Sequence, residues 1–238
     1  MSNPSVSQRI HDQLGQIIAN TTPGERLPSE PALAMQFGVS RASLREAMRT
    51  FETQGIIQRK QGSGTYVNHL PQVIESGLEV LESIETMANR IGMSIRHTTL
   101  EIGRRNASDE ECRLLGMTYP AEITSVKRVM LAKNHPMAYL VDTLPLEILK
   151  PEDLKNGFTG SVLDFLMQRG KPALLASRAE IQAAIATSQV ARALGIQRGG
   201  VLLSFISQLY SQDNKVIDLS HSYFLPGYFR FHVVRKLE

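Results

Sequence analysis

A chain of 238 residues with 42% hydrophobic and 21% charged residues, 17 Gly and 11 Pro is a folded protein, not a disordered, collagen-like or low-complexity one. Its length suits one large domain or two smaller ones. The single cysteine, Cys112, excludes an internal disulfide, and there is no signal-type apolar stretch and no run able to span a bilayer, so a cytoplasmic location without a membrane partner is expected. The net charge of +3 is no argument for nucleic acid by itself, but its placement is informative. From Ser40 to Val67, Arg41, Arg45, Arg49, Arg59 and Lys60 stand against Glu46 and Glu52, so this stretch carries the whole net charge and the remainder sums to zero.

Val6, Ile10, Leu14, Ile17 and Ile18 recur at helical spacing, predicting an amphipathic helix from about Ser5 to Asn20. The stretch "TPGERLP" breaks it. Ser29 is placed to cap a second, short helix with Leu33, Ala34 and Phe37 facing inward and Gly38 as a left-handed C-terminal cap. Ser40 caps a third helix, in which Leu44, Ala47, Met48 and Phe51 form the core stripe while Arg41, Arg45 and Arg49, at i+4 steps, form a basic stripe beside it. Gly55 is expected to end this helix. "IIQRK" and "GTYV" then read as strands joined by the hairpin loop "QGSG".

Three helices and a basic β-hairpin describe a winged helix-turn-helix. Guanidinium groups on its third helix can grip phosphates or pair with guanine edges in the major groove, and the hairpin can reach an adjacent groove. The phrase "GERLPSEPALAMQFGVSRASLREAMRTFETQGIIQRKQGSGTYV" closely resembles the DNA-binding domain of the GntR family of bacterial transcription regulators, across residues 5 to 68. That resemblance implies contacts with operator DNA from Ser40, Arg41, Ser43, Arg45 and Arg49 on the third helix and from Gln61 and Gly62 at the wing. Where the family usually has arginine after Ser-Glu, this chain has Pro31, which offers DNA no guanidinium but sits comfortably in a first helical turn.

After the basic segment, Pro71 marks a linker. The expected domains are 1–69, DNA-binding; 70–77, linker; and 78–238, effector-binding and dimerising. Ile74, Leu78, Leu81, Ile84, Ala88 and Ile91 predict a further amphipathic helix over residues 72–91, closed by Gly92. Beyond it lies an internal repeat: "NASDEECRLLGM…ITSVKRVMLAKNHPMAYL" aligns without gaps, at an offset of 79 residues, with "IATSQVARALGI…LLSFISQLYSQDNKVIDL". Identical pairs include Gly116 with Gly195, Ser125 with Ser204 and Leu140 with Leu219. Each copy reads as capped helix, Gly stop, long strand, polar turn and strand. Two such units build one antiparallel sheet with helices against it and a cleft near the pseudo-twofold relation, a natural pocket for a small molecule.

This region resembles the UTRA effector-binding domain of the HutC subfamily, through "LGM" and "LGI", "KRVMLAKNHPMA", "GSVLDFLMQRG" and "VIDLSHSYFLPGYFRFHV". The fold class implied is α+β: an N-terminal winged helix-turn-helix joined to a chorismate-lyase-like antiparallel α/β domain with an internal repeat. Effector contacts are expected from Ser83, Arg128, Ser161, Asp218 and Tyr223. Members that bind phosphorylated sugars would have Arg-x-Arg and Ser-x-Tyr pairs aimed at phosphate; here these read Arg128 with Met130 and Ser161 with Leu163. Leu140 and Leu225 likewise replace a usual acidic residue and a usual arginine. Fewer charge-assisted hydrogen bonds would remain to offset an anion's desolvation, so the expected effector has one anionic or polar group and a larger apolar body, unlike a sugar phosphate.

The alternative is a lyase-like enzyme using the C-terminal cleft, with Asp142, Asp218, Glu180 and His221 as acid and base candidates. No nucleophile motif or phosphate-cradling glycine loop accompanies them. The six histidines are scattered and only one cysteine is present, so no metal and no cofactor are expected. The reading is a ligand-responsive transcription regulator; the family resemblance further implies a repressor relieved by its effector that binds a palindromic operator as a homodimer.

Overall fold

Leu14, Leu33, Leu44 and Met48 are wholly buried and draw three helices around one small core. In the computed structural model residues 6–53, 56–60, 62–67, 73–155 and 157–235 are described, and the chain divides after Val73 into two units. The first contains α1 (Val6–Ala19), α2 (Glu30–Phe37), α3 (Arg41–Thr53), β1 (Ile57–Lys60) and β2 (Gly64–Val67), the strands pairing antiparallel from Ile57↔Val67 to Lys60↔Gly64. The helices begin and end where local chemistry asks. Ser29 accepts a hydrogen bond from the Ala32 N–H, Pro31 lies in the first turn of α2, and Gly38 closes that helix at φ 65°. Ser40 accepts from the Ser43 N–H at 3.1 Å and so caps α3. The expected stop at Gly55 falls outside the described residues.

The second unit contains β3 (Ile74–Gly77), α4 (Ile84–Arg90), β4 (Ile95–Asn106), α5 (Asp109–Leu115), β5 (Glu122–Ala132), β6 (His135–Pro145), a 3-10 turn (Pro151–Lys155), α6 (Val162–Arg169), β7 (Leu174–Ile185), α7 (Ser188–Leu194), β8 (Val201–Ser211), β9 (Val216–Phe224) and β10 (Phe229–His232). The helix expected over residues 72–91 is corrected here. Only Ile84–Arg90 is helical, capped by Ser83, while Ile74–Gly77 pairs in parallel with β10. The same strand overrides the linker expected over 70–77 from Ile74 onward. Ile74 and Ser76 are buried and Glu75 is exposed, an alternation of period two that four residues are too few to advertise, and the partner strand lies far downstream.

Six strands form one antiparallel sheet in the order β4-β5-β6-β9-β8-β7. The two copies of the repeat meet at its centre, where Val141 pairs with His221 and Asp142 with Ser220. Their helices match closely: Ser108 and Thr187 are the N-caps of α5 and α7, and Gly116 and Gly195 end them at φ 67° and 66°. Each copy also has a leading strand, β4 or β7, which the repeat alone did not reveal. Strand alternation then divides the sheet into two faces. Leu219 packs with Cys112 and Leu115 of α5, and Tyr139 accepts a hydrogen bond from Gln189 of α7, so one face carries these helices. Asp218, Ser220, Ser222 and Phe224, the alternate residues of β9, face a cavity on the other.

Candidate nucleic-acid interface and effector cavity

On α3 the core residues Leu44, Met48 and Phe51 are buried, while Arg41, Arg45 and Arg49 are exposed. The positive stripe therefore remains at the surface. Arg45 donates through Nε to Glu30 at 2.7 Å, and Arg59 of β1 reaches the other Glu30 oxygen at 3.1 Å. The Glu30 side chain is only 18% exposed, so one well-anchored carboxylate at the start of α2 holds both the basic helix and the wing strand. Glu30 was not singled out in the sequence. The signal available was an acidic residue in the first turn of α2, amid basic neighbours. Arg49 lies 3.4 Å from Glu46, and such exposed pairs contribute at most about 1 kcal/mol, so a phosphate can displace them.

Ser40 and Ser43 place exposed hydroxyls 2.9 Å apart at the start of the same helix. In the wing turn Gly62 has φ 74° and open space on its Cβ side, so its backbone can be closely approached. Lys60 lies over the Tyr66 ring at 4.8 Å, and Tyr66 shares a 2.7 Å hydrogen bond with Ser63. Gly64, at φ 123°, has the Arg26 guanidinium against its bare Cα, where a side chain would collide. Gln61 falls outside the described residues.

The second unit encloses a cavity of about 510 Å³ between the open sheet face and the starts of α4 and α6. Ser83, Arg128, Ser161 and Asp218 line it together; Tyr223 does not. The alternation of β9 turns Tyr223 to the helix-bearing face, where it stacks on Tyr139 at 6.3 Å. Arg128 is the centre of the polar part. Its side chain is 7% exposed, and it donates to Asp142 at 2.9 Å, to Glu85 at 3.2 Å and to the Gly160 carbonyl. Gly160 has φ 108°, and any Cβ there would run into the His97 ring, which itself lies 3.3 Å from Glu85.

Burial works against the charges of this cluster, and their neighbours decide the outcome. Burial alone would lower the Arg128 pKa, but Asp142 and Glu85 raise it above its ordinary value, so the guanidinium stays charged. Burial would raise Glu85, yet the hydrogen bond with His97 and the Arg128 charge hold it below the usual carboxylate range. Burial pushes Asp142 up in spite of Arg128. Burial and the adjacent Asp142 push Asp218 well above the ordinary range, although Asp218 accepts the Thr143 N–H at 3.3 Å. Burial thus disfavours the charged form of both of these adjacent carboxyls.

Of the four acid and base candidates, Asp142 and Asp218 meet in the cavity but Glu180 and His221 are not among its lining residues. Glu180 is an exposed side chain paired with Arg178 at 2.9 Å. Burial lowers the His221 pKa. Among the described residues, no group of three or more His, Cys, Asp and Glu is arranged to hold a metal ion, and no helix is long and apolar enough to cross a membrane.

A winged helix-turn-helix with a surface arginine stripe, on one chain with a repeated α/β unit built around a cavity, defines a ligand-responsive DNA-binding transcription regulator. Comparison with known proteins gives the family. The chain belongs to the gntR family of bacterial regulatory proteins, whose model matches residues 6–67, and carries a UTRA domain over residues 90–230. It is 30% identical to the HTH-type transcriptional repressor NagR of Bacillus subtilis (strain 168) over 233 residues, 96% of this chain and 94% of that protein. It is 28% identical over 231 residues, 97% of this chain and 94% of the other, to the mannosyl-D-glycerate transport/metabolism system repressor MngR of Escherichia coli (strain K12). The crystal structure of PhnF from Mycobacterium smegmatis shares the fold, with a TM-score of 0.65 at 20% identity over 96% of this chain and all of that one. The expected regulator of GntR and HutC type is thereby established, and the lyase-like alternative finds no support among these relatives.

Proposed function

We propose that this protein represses transcription by binding a twofold-symmetric operator as a homodimer, and that a small molecule entering the cavity of the second unit releases it. The observation that carries the reading is the exposed stripe Arg41, Arg45 and Arg49 on α3. With Ser40, Ser43, Gln61 and Gly62 these residues form the proposed DNA contact set. Ser83, Arg128, Ser161 and Asp218 form the polar side of the proposed effector site. A second copy of this chain is proposed to pair along β7. That strand is the sheet's edge, and Leu175, Ile181 and Ile185 on it are 57%, 46% and 71% exposed. A long uncovered edge of this kind presents unpaired backbone groups and apolar side chains to a partner. The protein acts in the cytoplasm and carries out no turnover.

Repression relieved by ligand requires the effector to bind one state of the protein better than the operator-binding state, because only differential affinity moves such an equilibrium. The test is fluorescence anisotropy of a labelled operator duplex with the full chain, with and without fractionated metabolites, the active fraction then being assayed for turnover. A fraction that weakens operator binding and is recovered unchanged supports the reading. Consumption of the compound, or operator binding indifferent to every fraction, overturns it.

A further inference from the structure

We infer that the cavity takes an organic cation, a protonated amine or amidine on an apolar body, with its charged head against Asp142 and Asp218. The inference deepens the reading of this cavity as the effector site and depends on it. It starts from the charges that line the cavity. Glu79, Glu82, Glu85, Asp142 and Asp218 are acidic, and Arg128 is the single basic residue among the described lining. Glu82 is paired with Arg90, and Glu79 accepts the Val234 N–H, which leaves Glu85, Asp142 and Asp218 around one guanidinium.

The side chains expected to hold an anion are in part already engaged by the protein's own acceptors. Arg128 spends both terminal nitrogens on Asp142, Glu85 and the Gly160 carbonyl. Ser83 donates its hydroxyl proton to Asp164 at 2.7 Å while its oxygen caps α4. Ser161 caps α6 by accepting from the Asp164 N–H at 3.1 Å. An incoming phosphate or carboxylate would have to break the Arg128 and Ser83 contacts and then sit beside Glu85, Asp142 and Asp218. Of the anionic or polar head expected from the sequence, this proposal sets the anionic option aside; it keeps the apolar body, for which Leu140, Leu163, Phe205 and Phe224 also line the cavity.

Two observations point to a missing ligand. The Arg128 Nε is buried without a hydrogen-bond partner among the described residues, a donor left for a neutral acceptor such as a ligand hydroxyl or carbonyl. The Asp142 and Asp218 carboxyls lie side by side in the cavity wall, where a ligand cation would offset the burial that disfavours their charged forms. The groups facing Asp218 are Asp142 and the Thr143 N–H from β6, and Arg128 from β5, with Glu85 on α4 beyond Arg128. A cation favours the ionised carboxyls, so its binding is expected to tighten as pH rises.

The chain contains no Trp, so indole probes report binding by their own fluorescence. Tryptamine, tryptophol and indole-3-acetate share one apolar body and differ in head charge; glucose 6-phosphate, added as a competitor, represents phosphosugars without an amine. Tryptamine is expected to bind the full chain at least about tenfold tighter than either indole relative, more tightly at pH 8 than at pH 6, and to resist glucose 6-phosphate. Asp218→Asn, nearly isosteric with the protonated acid, is expected to cost at least about tenfold in tryptamine affinity and to abolish its pH dependence. Ser207→Phe, which fills the cavity from β8, controls for location. Preference for indole-3-acetate or glucose 6-phosphate that Ser207→Phe abolishes overturns the cation and leaves the effector site standing. Binding indifferent to Ser207→Phe overturns the site itself. Failure of millimolar tryptamine to bind a folded wild-type chain also overturns the cation.

Discussion

The two units use arginine in opposite ways. Arg45 is 60% exposed and paired with Glu30, whereas Arg128 is 7% exposed and held by Asp142 and Glu85. The partners are chemically the same; burial makes the difference. An exposed pair gains little and is readily exchanged for a phosphate, which suits the DNA contact proposed for Arg45. A buried pair is fixed, because removing either member strands a charge in a dry interior. Placement, more than residue type, separates the exposed, exchangeable arginine from the buried, fixed one.

The strongest way to break this comparison is Arg128→Leu. It leaves Asp142, Asp218 and Glu85 without their cation and is expected to destabilise the protein by about 3–5 kcal/mol in urea unfolding. A loss comparable with that of an exposed pair would remove the distinction. Arg45→Ala tests the other side. Folding stability is expected to change by less than about 0.5 kcal/mol, while operator binding weakens by about 1–3 kcal/mol with relaxed specificity at one position if the residue reads a base. A phosphate contact would instead lower the salt slope by about one, and an unchanged affinity and slope would refute both roles.

Asp218→Asn sharpens the comparison through pH. Because the Asp218 pKa is raised in the folded protein, its contribution is fully present below the unfolded value of about 3.9 and is lost as pH rises through the raised native value. The variant is expected to flatten that fall and to melt higher than wild type near neutral pH, read by calorimetry across a pH series. Glu111 gives the smallest effect and the opposite sign. Its hydrogen bonds with Arg105 lower its pKa from 4.5 to about 2, so its stabilisation is present above the unfolded value and fades as pH falls towards 2. With both side chains partly exposed, Glu111→Gln is expected to cost no more than about 1 kcal/mol near neutral pH, and nothing in strong acid.

The DNA-binding unit was legible because its signals are local. Ser29 and Ser40 cap helices within three residues of the groups they bind, Gly38 needs its left-handed conformation in place, and the apolar stripe of α3 repeats over thirteen residues. The repeat of the second unit was equally visible, since capped helix, glycine stop and hairpin each announce themselves. Long-range pairing was not. Nothing near Ile74 tells of β10, and β4 and β7 lack the turn signals that frame the central hairpins. Arg128 and Ser161 could be picked by family likeness, but the Ser161 cap and the Arg128 bonds to Glu85 and Gly160 could not. The Arg128–Asp142 pair was within reach, because the β5–β6 register sets Val126 opposite Asp142 and leaves Arg128 its diagonal neighbour on one face. Tyr223 shows the same lesson reversed: one residue along β9 from a cavity-facing position, it belongs to the other side of the sheet.

The most direct test is selection of bound duplexes from a random DNA pool at near-physiological salt, for the wild-type chain and for a variant with Arg41, Arg45 and Arg49 all changed to Ala. The account predicts a twofold-symmetric motif enriched by the wild type and absent from the variant, with both proteins folded. No enrichment by folded wild type, or the same motif selected by the variant, would contradict it.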